Sequence, residues 1–248
     1  MITSATSDGI AIISLARPER RNALTPDMLD RLADLALSLG NTAQVLLVTG
    51  QGPCFCAGFD LDLCRDDGAS DVLRSLLTGL SRAIQSLRDQ PSPVVMAIHG
   101  AAIAGGCALL GGADIVVAER ETKLGYPVTR LGISPAVSSP FMAAQLPAGT
   151  IRAMQLDPGL IPASSAHTSG LLSELVDGDA ATIERGMSIA RMLSAKPREA
   201  LLSTRRLAQS LSQASAETAQ LGLAASLGLI GGPEQLEMLP RAWKPRAP

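Results

Sequence analysis

"PVVMAIHGAAIAGGCALLGGADIVVA" (residues 93–118) contains two apolar runs separated by a segment of small residues. The runs at 93–100 and 113–120 are almost continuously apolar, which is typical of strands buried on both faces of a sheet. Between them, the paired glycines of "IAGGCALL" (103–110) lie where a strand ends and a helix begins. The stretch therefore predicts a strand, a corner without bulky side chains, a short helix and a further strand.

A second corner of the same kind follows another apolar run. "QVLLVTG" (44–50) reads as a buried strand, and "PCFCAGFD" (53–60) follows it. A backbone N–H can approach a ligand oxygen only where no side chain intervenes, as at Gly and Ala. Two converging corners would offer two amides to one oxygen, which stabilises the oxyanion or enolate of a thioester. Ordinary glycine turns explain the same residues, and spacing alone leaves both readings open.

The remaining pattern alternates strands with helices. "GIAIISLARP" (9–18) predicts a strand, and a helix is expected from the N-cap Thr25 to Gly40, with Pro26 at its first position. A second helix is expected over residues 71–89. This alternation indicates an α/β fold with parallel strands. Only helical patterns follow residue 179, so we predict a core domain over residues 1–190 and a helical segment over 191–248 that covers the core or packs on a neighbouring subunit.

The composition of the chain excludes several classes of binding partner. The 248 residues are 46% hydrophobic but only 2% aromatic, and the formal net charge is −2. No basic block could neutralise a run of phosphates, so we expect no nucleic-acid partner. No apolar stretch is long enough to cross a bilayer and the first residues lack a signal-peptide pattern, so we expect a soluble cytoplasmic protein with reduced thiols and no membrane association. The spacing of Cys54, Cys56 and Cys64 matches no usual zinc motif, so we expect no metal site.

Several motifs in order carry a family resemblance. "RPERRNALTPDML", "VLLVTGQGPCFCAGFDL", "PVVMAIHGAAIAGGCALLGGADIVVA" and "LGYPVTRLGISPAVSSP" resemble the enoyl-CoA hydratase/isomerase (crotonase) family over residues 10–140. The resemblance implies a crotonase-like spiral of ββα units with C-terminal helices that form a homotrimer or a dimer of trimers. It also implies an acyl-CoA thioester as ligand, so that coenzyme A enters as part of the substrate and no separate cofactor is needed.

The same resemblance implies the site residues. It places the two oxyanion-hole amides on Ala57 and Gly105, and reads Asp60 as a carboxylate that fixes the loop. Phe59 and Tyr126 are the plausible large walls of the acyl pocket. Contacts with the substrate or its coenzyme A are expected from Asn22, Ala23, Leu24, Ala57, Gly58, Phe59, Asp60, Gly105, Val128 and, near the phosphates, Lys244.

The chain departs from the family pattern at the two glutamates of its hydratases. Ala108 and Val128 stand at those positions, and neither side chain can move a proton. Tyr126 could donate a proton but is a poor base at neutral pH; packing or contact with the acyl chain is the alternative. Cys107 reads as core filler.

Further polar residues have simple explanations. We expect Asp66 and Asp67 to be solvated loop carboxylates and the arginine pairs at 20–21 and 205–206 to be solvated as well. Arg130 could pair with a substrate carboxylate or with a structural acid. His99 reads as a core histidine bonded to backbone, and His167 as exposed.

Three functions remain open from the sequence. The first is an acyl-CoA enzyme with altered chemistry, such as decarboxylation of a malonyl-type thioester or thioester hydrolysis. The second is a non-catalytic acyl-CoA-binding or scaffolding protein. The third is a hydratase that uses an acid from elsewhere.

Overall fold

The strands of the chain form two sheets. The computed structural model describes residues 1–65, 68–156, 159–211 and 214–243. The strands are β1 (Ile2–Ser7), β2 (Ile10–Leu15), β3 (Val45–Gly50), β4 (Val94–Ile98), β5 (Ala101–Ile103), β6 (Ile115–Glu119), β7 (Lys123–Gly125), β8 (Ile161–Pro162) and β9 (Glu174–Val176). The larger sheet has the order β1-β2-β3-β4-β6-β9, and the smaller has the order β5-β7-β8. From β2 to β9 the larger sheet is parallel, as predicted.

Helices follow the strands at the predicted places. They are α1 (Pro26–Gly40), α2 (Ala69–Asp89), α3 (Gly105–Leu109), α4 (Ser139–Ala143), α5 (Ala148–Leu156), α6 (Ala163–Thr168), α7 (Asp179–Ser194), α8 (Arg198–Ser210), α9 (Ala216–Leu227) and α10 (Pro233–Met238). The Thr25 side chain accepts a hydrogen bond from the Met28 amide, so α1 starts with the expected cap. Across the described ranges, no helix combines the length and the apolar character needed to traverse a bilayer.

The ββα units are visible where β4 leads into β5 and β6 leads into β7. Each pair gives one strand to the larger sheet and one to the smaller sheet. β5 is then followed directly by α3. This repeat confirms the spiral arrangement.

Both faces of the larger sheet are covered, which explains its continuous apolar strands. Leu46 and Val48 face the main core with α1 and α2, whereas Val45 and Leu47 face a second cluster with Ile189 of α7. Successive side chains of a strand point to opposite faces, so a strand between two helical layers must be apolar throughout.

The C-terminal helices are fastened to the core by a buried arginine. Arg205 of α8 is 7% exposed and forms an ion pair with Asp114 at 2.7 Å. Its guanidinium also donates to the carbonyl oxygens of Leu87, Arg88 and Gln90. The expectation that Arg205 is solvated is therefore wrong, because its partners come from distant parts of the chain; Arg206 is exposed as expected. Since α7 runs through residue 190, the domain boundary predicted there would divide a helix.

Candidate functional site

The two small-residue corners meet, and main-chain hydrogen bonds hold them together. The amides of Phe55 and Cys56 donate to the carbonyls of His99 and Ala101 at 2.9 and 3.0 Å. In return, the Ile103 amide donates to the Cys56 carbonyl at 3.0 Å. The corners are therefore joined to each other through main-chain groups.

Backbone conformation turns the chain sharply at both corners. Gly58 has φ +98° and Ala104 has φ +50°. A Cβ atom added to Gly58 would lie 3.2 Å from that of Ala104. Such positive φ angles favour glycine, and Ala104 is a strained exception directly before α3.

The amide of Ala57 is not free to bind a ligand. It donates to the carbonyl of Arg21 at 3.0 Å. This bond corrects the expectation that Ala57 supplies one of the two oxyanion-hole amides. The Ala57 residue still lines the adjoining cavity.

The amide of Phe59 is free instead. Leu24 pairs with Phe59 as in a parallel ladder, donating to the Gly58 carbonyl at 2.7 Å and accepting from the Asp60 amide at 2.9 Å. In such a ladder the amide of the paired residue itself points away. Accordingly, the Phe59 N–H makes no hydrogen bond within the described residues. The alternation of strand amides was the signal that could have identified it.

Gly105 also has an unpaired amide, and it lies beside Phe59. As the first residue of α3, its N–H has no intrahelical acceptor. A Cβ atom added to Gly105 would lie 3.1 Å from the Phe59 ring. The Gly105 corner therefore contacts Phe59, the residue that carries the second free amide.

Both residues line a cavity of about 530 Å³. Its walls are mainly apolar and include Leu77, Leu80, Ile103, Leu131 and Val137. No carboxylate lines this cavity in the part of the chain that the structure describes. Its interior is therefore suited to an apolar group attached to a polar oxygen at the Phe59–Gly105 wall.

The two positions of the family's hydratase glutamates both face this cavity. Ala108 is 1% exposed and lies one turn after Gly105 on α3, and Val128 is half-buried across from it. Both predicted positions belong to the cavity, but neither provides a group that can accept a proton.

Tyr126 lines the same cavity, but its hydroxyl oxygen is covered by protein atoms. The residue is 2% exposed, and its hydroxyl makes no hydrogen bond of acceptable geometry within the described residues, although Cys107 and Ser138 lie close. Burial raises the pKa of Tyr126 well above its ordinary value. The phenol is consequently neutral at physiological pH.

Other polar groups of the cavity are already engaged. Ser138 donates to the Pro135 carbonyl at 2.9 Å, and Ser134 accepts from the Ala136 amide at 3.2 Å. Arg241 pairs with Glu237 at 2.8 Å. The exposed Arg130 donates from Nε to the Pro127 carbonyl at 3.1 Å and has no ion pair among the described residues.

A smaller recess of about 250 Å³ adjoins the cavity. Phe59, Leu61 and Ala242 line both spaces. The residues that line only the recess are Ala23, Trp243 and the charged Arg20, Asp60 and Asp62. A ligand whose oxygen lies at Phe59 could therefore extend one way into the cavity and the other way into the recess.

Asn22 and Leu24, predicted ligand contacts, are instead fully buried. The Asn22 amide nitrogen donates to the carbonyls of Gln51 and Cys54, and its oxygen accepts from the Arg17 amide. Asn22 thereby fixes the chain before the first corner, while the main chain of Leu24 pairs with that of Phe59. Ala23 alone of the three faces the recess.

Asp60 ties the first corner to the N-terminal part of the chain. It is 4% exposed and forms ion pairs with Arg17 at 2.7 Å and Arg20 at 3.3 Å. It also accepts from the Asp62 amide at 3.3 Å. These contacts fit a carboxylate that holds the loop. Lys244, Asp66 and Asp67 lie outside the described residues.

The thiols and histidines have structural surroundings. Cys56 and Cys107 are fully buried, and burial raises the pKa of each to about 12. His99 is 1% exposed, and its Nε2 lies 2.8 Å from the Gly52 carbonyl, as expected for a core histidine. His167 is exposed, also as expected.

A family model described as "Enoyl-CoA hydratase/isomerase" matches residues 5–231. The chain belongs to the enoyl-CoA hydratase/isomerase family. It is 34% identical over 191 residues to enoyl-CoA hydratase AFT3-1 of Alternaria alternata, which covers 75% of this chain and 63% of that protein. It is 32% identical over 203 residues to 1,2-epoxyphenylacetyl-CoA isomerase of Escherichia coli K12, covering 79% and 77%.

Solved structures support the same fold. An enoyl-CoA hydratase from Mycobacterium avium subsp. paratuberculosis K-10 matches with a TM-score of 0.85 and 21% identity, over 96% of this chain and 97% of that one. The crotonase-like α/β fold expected from the sequence is thereby confirmed. Within the enoyl-CoA hydratase/isomerase family, the names of the first two relatives already span a hydratase and an isomerase.

Proposed function

We propose that the protein binds an acyl-CoA thioester with its carbonyl oxygen between the amides of Phe59 and Gly105. The observation that carries the proposal is that Phe59 and Gly105, which contact each other, both have unpaired amides and both line a cavity of about 530 Å³. Two such donors hold negative charge as it develops on the oxygen, and losing one typically costs ~10²–10³-fold in kcat. Coenzyme A would arrive as part of the substrate, with its pantetheine in the recess of Ala23 and Trp243.

The reaction we propose is the decarboxylation of a malonyl-type thioester. Ala108 and Val128 leave the cavity without a base, so a reaction that begins by removing a proton from carbon would lack a contribution of ~10²–10⁴-fold. Loss of carbon dioxide forms the same enolate without a base. An apolar surrounding also favours it, because a carboxylate placed there is poorly solvated and the departing carbon dioxide is neutral.

Substrate comparison tests this proposal directly. Purified protein is incubated with malonyl-CoA, methylmalonyl-CoA and crotonyl-CoA, products are followed by mass spectrometry, and binding of each thioester is measured by calorimetry. We expect carbon dioxide release from the first two and no hydration of the third. Binding without turnover would instead favour a non-catalytic acyl-CoA-binding or scaffolding role, and absence of binding would contradict the assigned site.

We also propose assembly into trimers through the C-terminal helices. This proposal is supported by four leucines of these helices that are more than half exposed in the single chain: Leu207, Leu211, Leu221 and Leu236. Exposed apolar side chains on neighbouring helices are typical of subunit contacts. Sedimentation equilibrium of the protein beside a Leu207→Glu variant tests this assembly, since a charge in the contact should lower the observed mass.

A further inference from the structure

The large cavity carries positive charge without an acid to balance it. Arg130 and Arg241 line it, whereas no Asp or Glu among the described residues does. Both guanidinium groups stay protonated at any physiological pH. Most of the remaining wall is apolar. Because cations in an apolar cleft lower the free energy of an anion placed there, the cavity is suited to a ligand group that combines an apolar chain with a negative charge.

Arg130 is the cation of this wall that has no carboxylate partner. Arg241 pairs with Glu237 at 2.8 Å. Arg130, by contrast, takes part in no ion pair within the described ranges. It is an exposed residue that also lines the cavity, so a ligand can reach it. An anion that enters the cavity therefore meets a cation whose charge is not already compensated.

A main-chain contact holds the Arg130 guanidinium against the cavity wall. Its Nε donates to the carbonyl of Pro127 at 3.1 Å, and Pro127 and Val128 line the same cavity. The bond at Nε leaves the two terminal nitrogens without a partner in the part of the chain that the structure describes. These nitrogens form the fork that binds a carboxylate through two hydrogen bonds. Since the fork is positioned before a ligand arrives, less side-chain entropy is lost on binding.

We propose that Arg130 binds a carboxylate at the end of the acyl group remote from the thioester, so that the protein selects dicarboxylic acyl-CoA thioesters. With the thioester oxygen at the Phe59 and Gly105 amides, the acyl chain would extend through the apolar interior, and its terminal carboxylate would accept hydrogen bonds from the fork. This inference rests on the proposed binding of an acyl-CoA thioester. It does not require the proposed decarboxylation, because the carboxylate at Arg130 is retained and is not the one that would be lost.

The phosphates of coenzyme A are the other anions that such a ligand would bring. The pantetheine is proposed to lie in the recess of Ala23 and Trp243, and Arg130 does not line that recess. Among the described residues, the arginine that lines it is Arg20. The position of Arg130 therefore favours an anion on the acyl group, and matched thioesters separate the two sources.

Paired thioesters that differ in their terminal charge test the proposal. Glutaryl-CoA is compared with 5-methylhexanoyl-CoA, and adipyl-CoA with 6-methylheptanoyl-CoA, because an isopropyl group has nearly the shape of a carboxylate. Calorimetry gives the preference, defined as the dissociation constant of the neutral thioester divided by that of its carboxylated partner. For at least one chain length we expect a preference of ~10-fold or more in the unaltered protein, as hydrogen bonds to charged groups typically provide.

Substitutions assign this preference to Arg130. Arg130→Met removes the charge and should lower the preference ~10-fold, whereas Arg130→Lys keeps the charge without the fork and should retain part of it. Arg206→Met is the charge-matched control, because Arg206 is exposed on α8 and lines neither the cavity nor the recess. The preference should persist in this control. Thermal unfolding verifies that each variant is folded.

The remaining outcomes separate this inference from acyl-CoA binding itself. If no thioester of either kind binds, the proposed acyl-CoA binding fails and the role of Arg130 fails with it. Binding without a preference overturns only the role of Arg130. The same holds if Arg206→Met also loses the preference, or if Arg241→Met loses it and Arg130→Met does not. If Arg130→Met weakens both members of a pair equally, its partner is a phosphate of coenzyme A, and the proposed carboxylate contact is overturned.

Discussion

The Ala57 amide donates a hydrogen bond to the Arg21 carbonyl at 3.0 Å. This bond removes Ala57 from the set of available donors, whereas the Phe59 amide, two residues later, has no acceptor among the described residues. The same segment therefore carries one amide that builds the fold and one that can serve a ligand. The proposed site follows from this alternation.

The adjacent glycines 105 and 106 should respond differently to alanine. A Cβ atom at Gly105 would meet Leu24 and the Phe59 ring at 3.1 Å, whereas one at Gly106 would meet Cys56 Cβ and its carbonyl oxygen at 2.7 Å. We expect Gly105→Ala to weaken acyl-CoA binding at least tenfold with little loss of stability. Gly106→Ala should lower the free energy of unfolding by ~1–3 kcal/mol, because the clash is with Cys56, whose main chain is held by the hydrogen bonds between the corners. Calorimetric binding and urea unfolding of both variants provide the comparison; a reversed pattern would contradict the site.

Val128→Glu should create hydration of crotonyl-CoA. Val128 is half-buried and lines the cavity, so a carboxylate there could activate water for attack on the acyl chain. Val128→Gln is the matched control, since it has nearly the same shape without a base. Loss of crotonyl-CoA absorbance on hydration is the measurement. Equal activity of the two variants would show that the position does not reach the acyl carbons.

Tyr126 should ionise only at strongly alkaline pH. It is the single tyrosine of the chain, so the near-ultraviolet absorbance of tyrosinate reports on this residue alone. Burial raises its pKa, which means that the unfolded chain releases the proton near pH ~10 and the folded protein only above it. Folding stability attributable to this group is complete below that pH and declines as the pH rises further. If the tyrosine of the folded protein ionised near pH ~10, as in the unfolded chain, the buried position would be contradicted.

Arg205→Met should destabilise the protein by ~1–3 kcal/mol, because it leaves the Gln90 carbonyl without its side-chain partner. Asp114 is exposed and still accepts a hydrogen bond from the Val94 amide. Arg206→Met, at the exposed neighbouring position, should stay within ~0.5 kcal/mol of the parent. Urea unfolding measures both, and similar values for the two would remove Arg205 as the anchor of α8.

Ala104→Gly should raise stability by ~1 kcal/mol. Ala104 has φ +50° and ψ −111°, a conformation that glycine adopts with less strain. Ala102→Gly, in the neighbouring strand with ordinary backbone angles, should instead be destabilising. Thermal unfolding of the two variants separates local strain from the general effect of glycine.

The regular elements could be read from the sequence because their signals are local. Continuous apolar runs marked β3, β4 and β6, and Thr25 with Pro26 marked the start of α1. By contrast, β1 carries polar and largely exposed side chains, so its pattern predicted no strand. The burial of Arg205 was missed for a related reason, since its partners on other elements meet it only after folding.

The candidate site was predictable in part. The two small-residue corners were identified, and the structure brings them together at Gly105. The choice between the Ala57 and Phe59 amides depended on which carbonyls face each one, and the Arg21 and Leu24 pairings that decide it are not written in the corner itself. Similarly, residue type alone could not reveal that the Tyr126 hydroxyl lacks a partner.

The main-chain hydrogen bonds that join Cys56 to Ala101 and Ile103 hold the two corners together. The proposed binding of the ligand oxygen therefore depends on different groups from the side chains that line the cavity. In the proposed site, main-chain amides hold the oxygen of the ligand, while the cavity-lining side chains at 108, 126 and 128 can be exchanged one at a time. Single substitutions at these side chains can therefore change the reaction during evolution, while the main-chain contacts that bind the ligand stay in place.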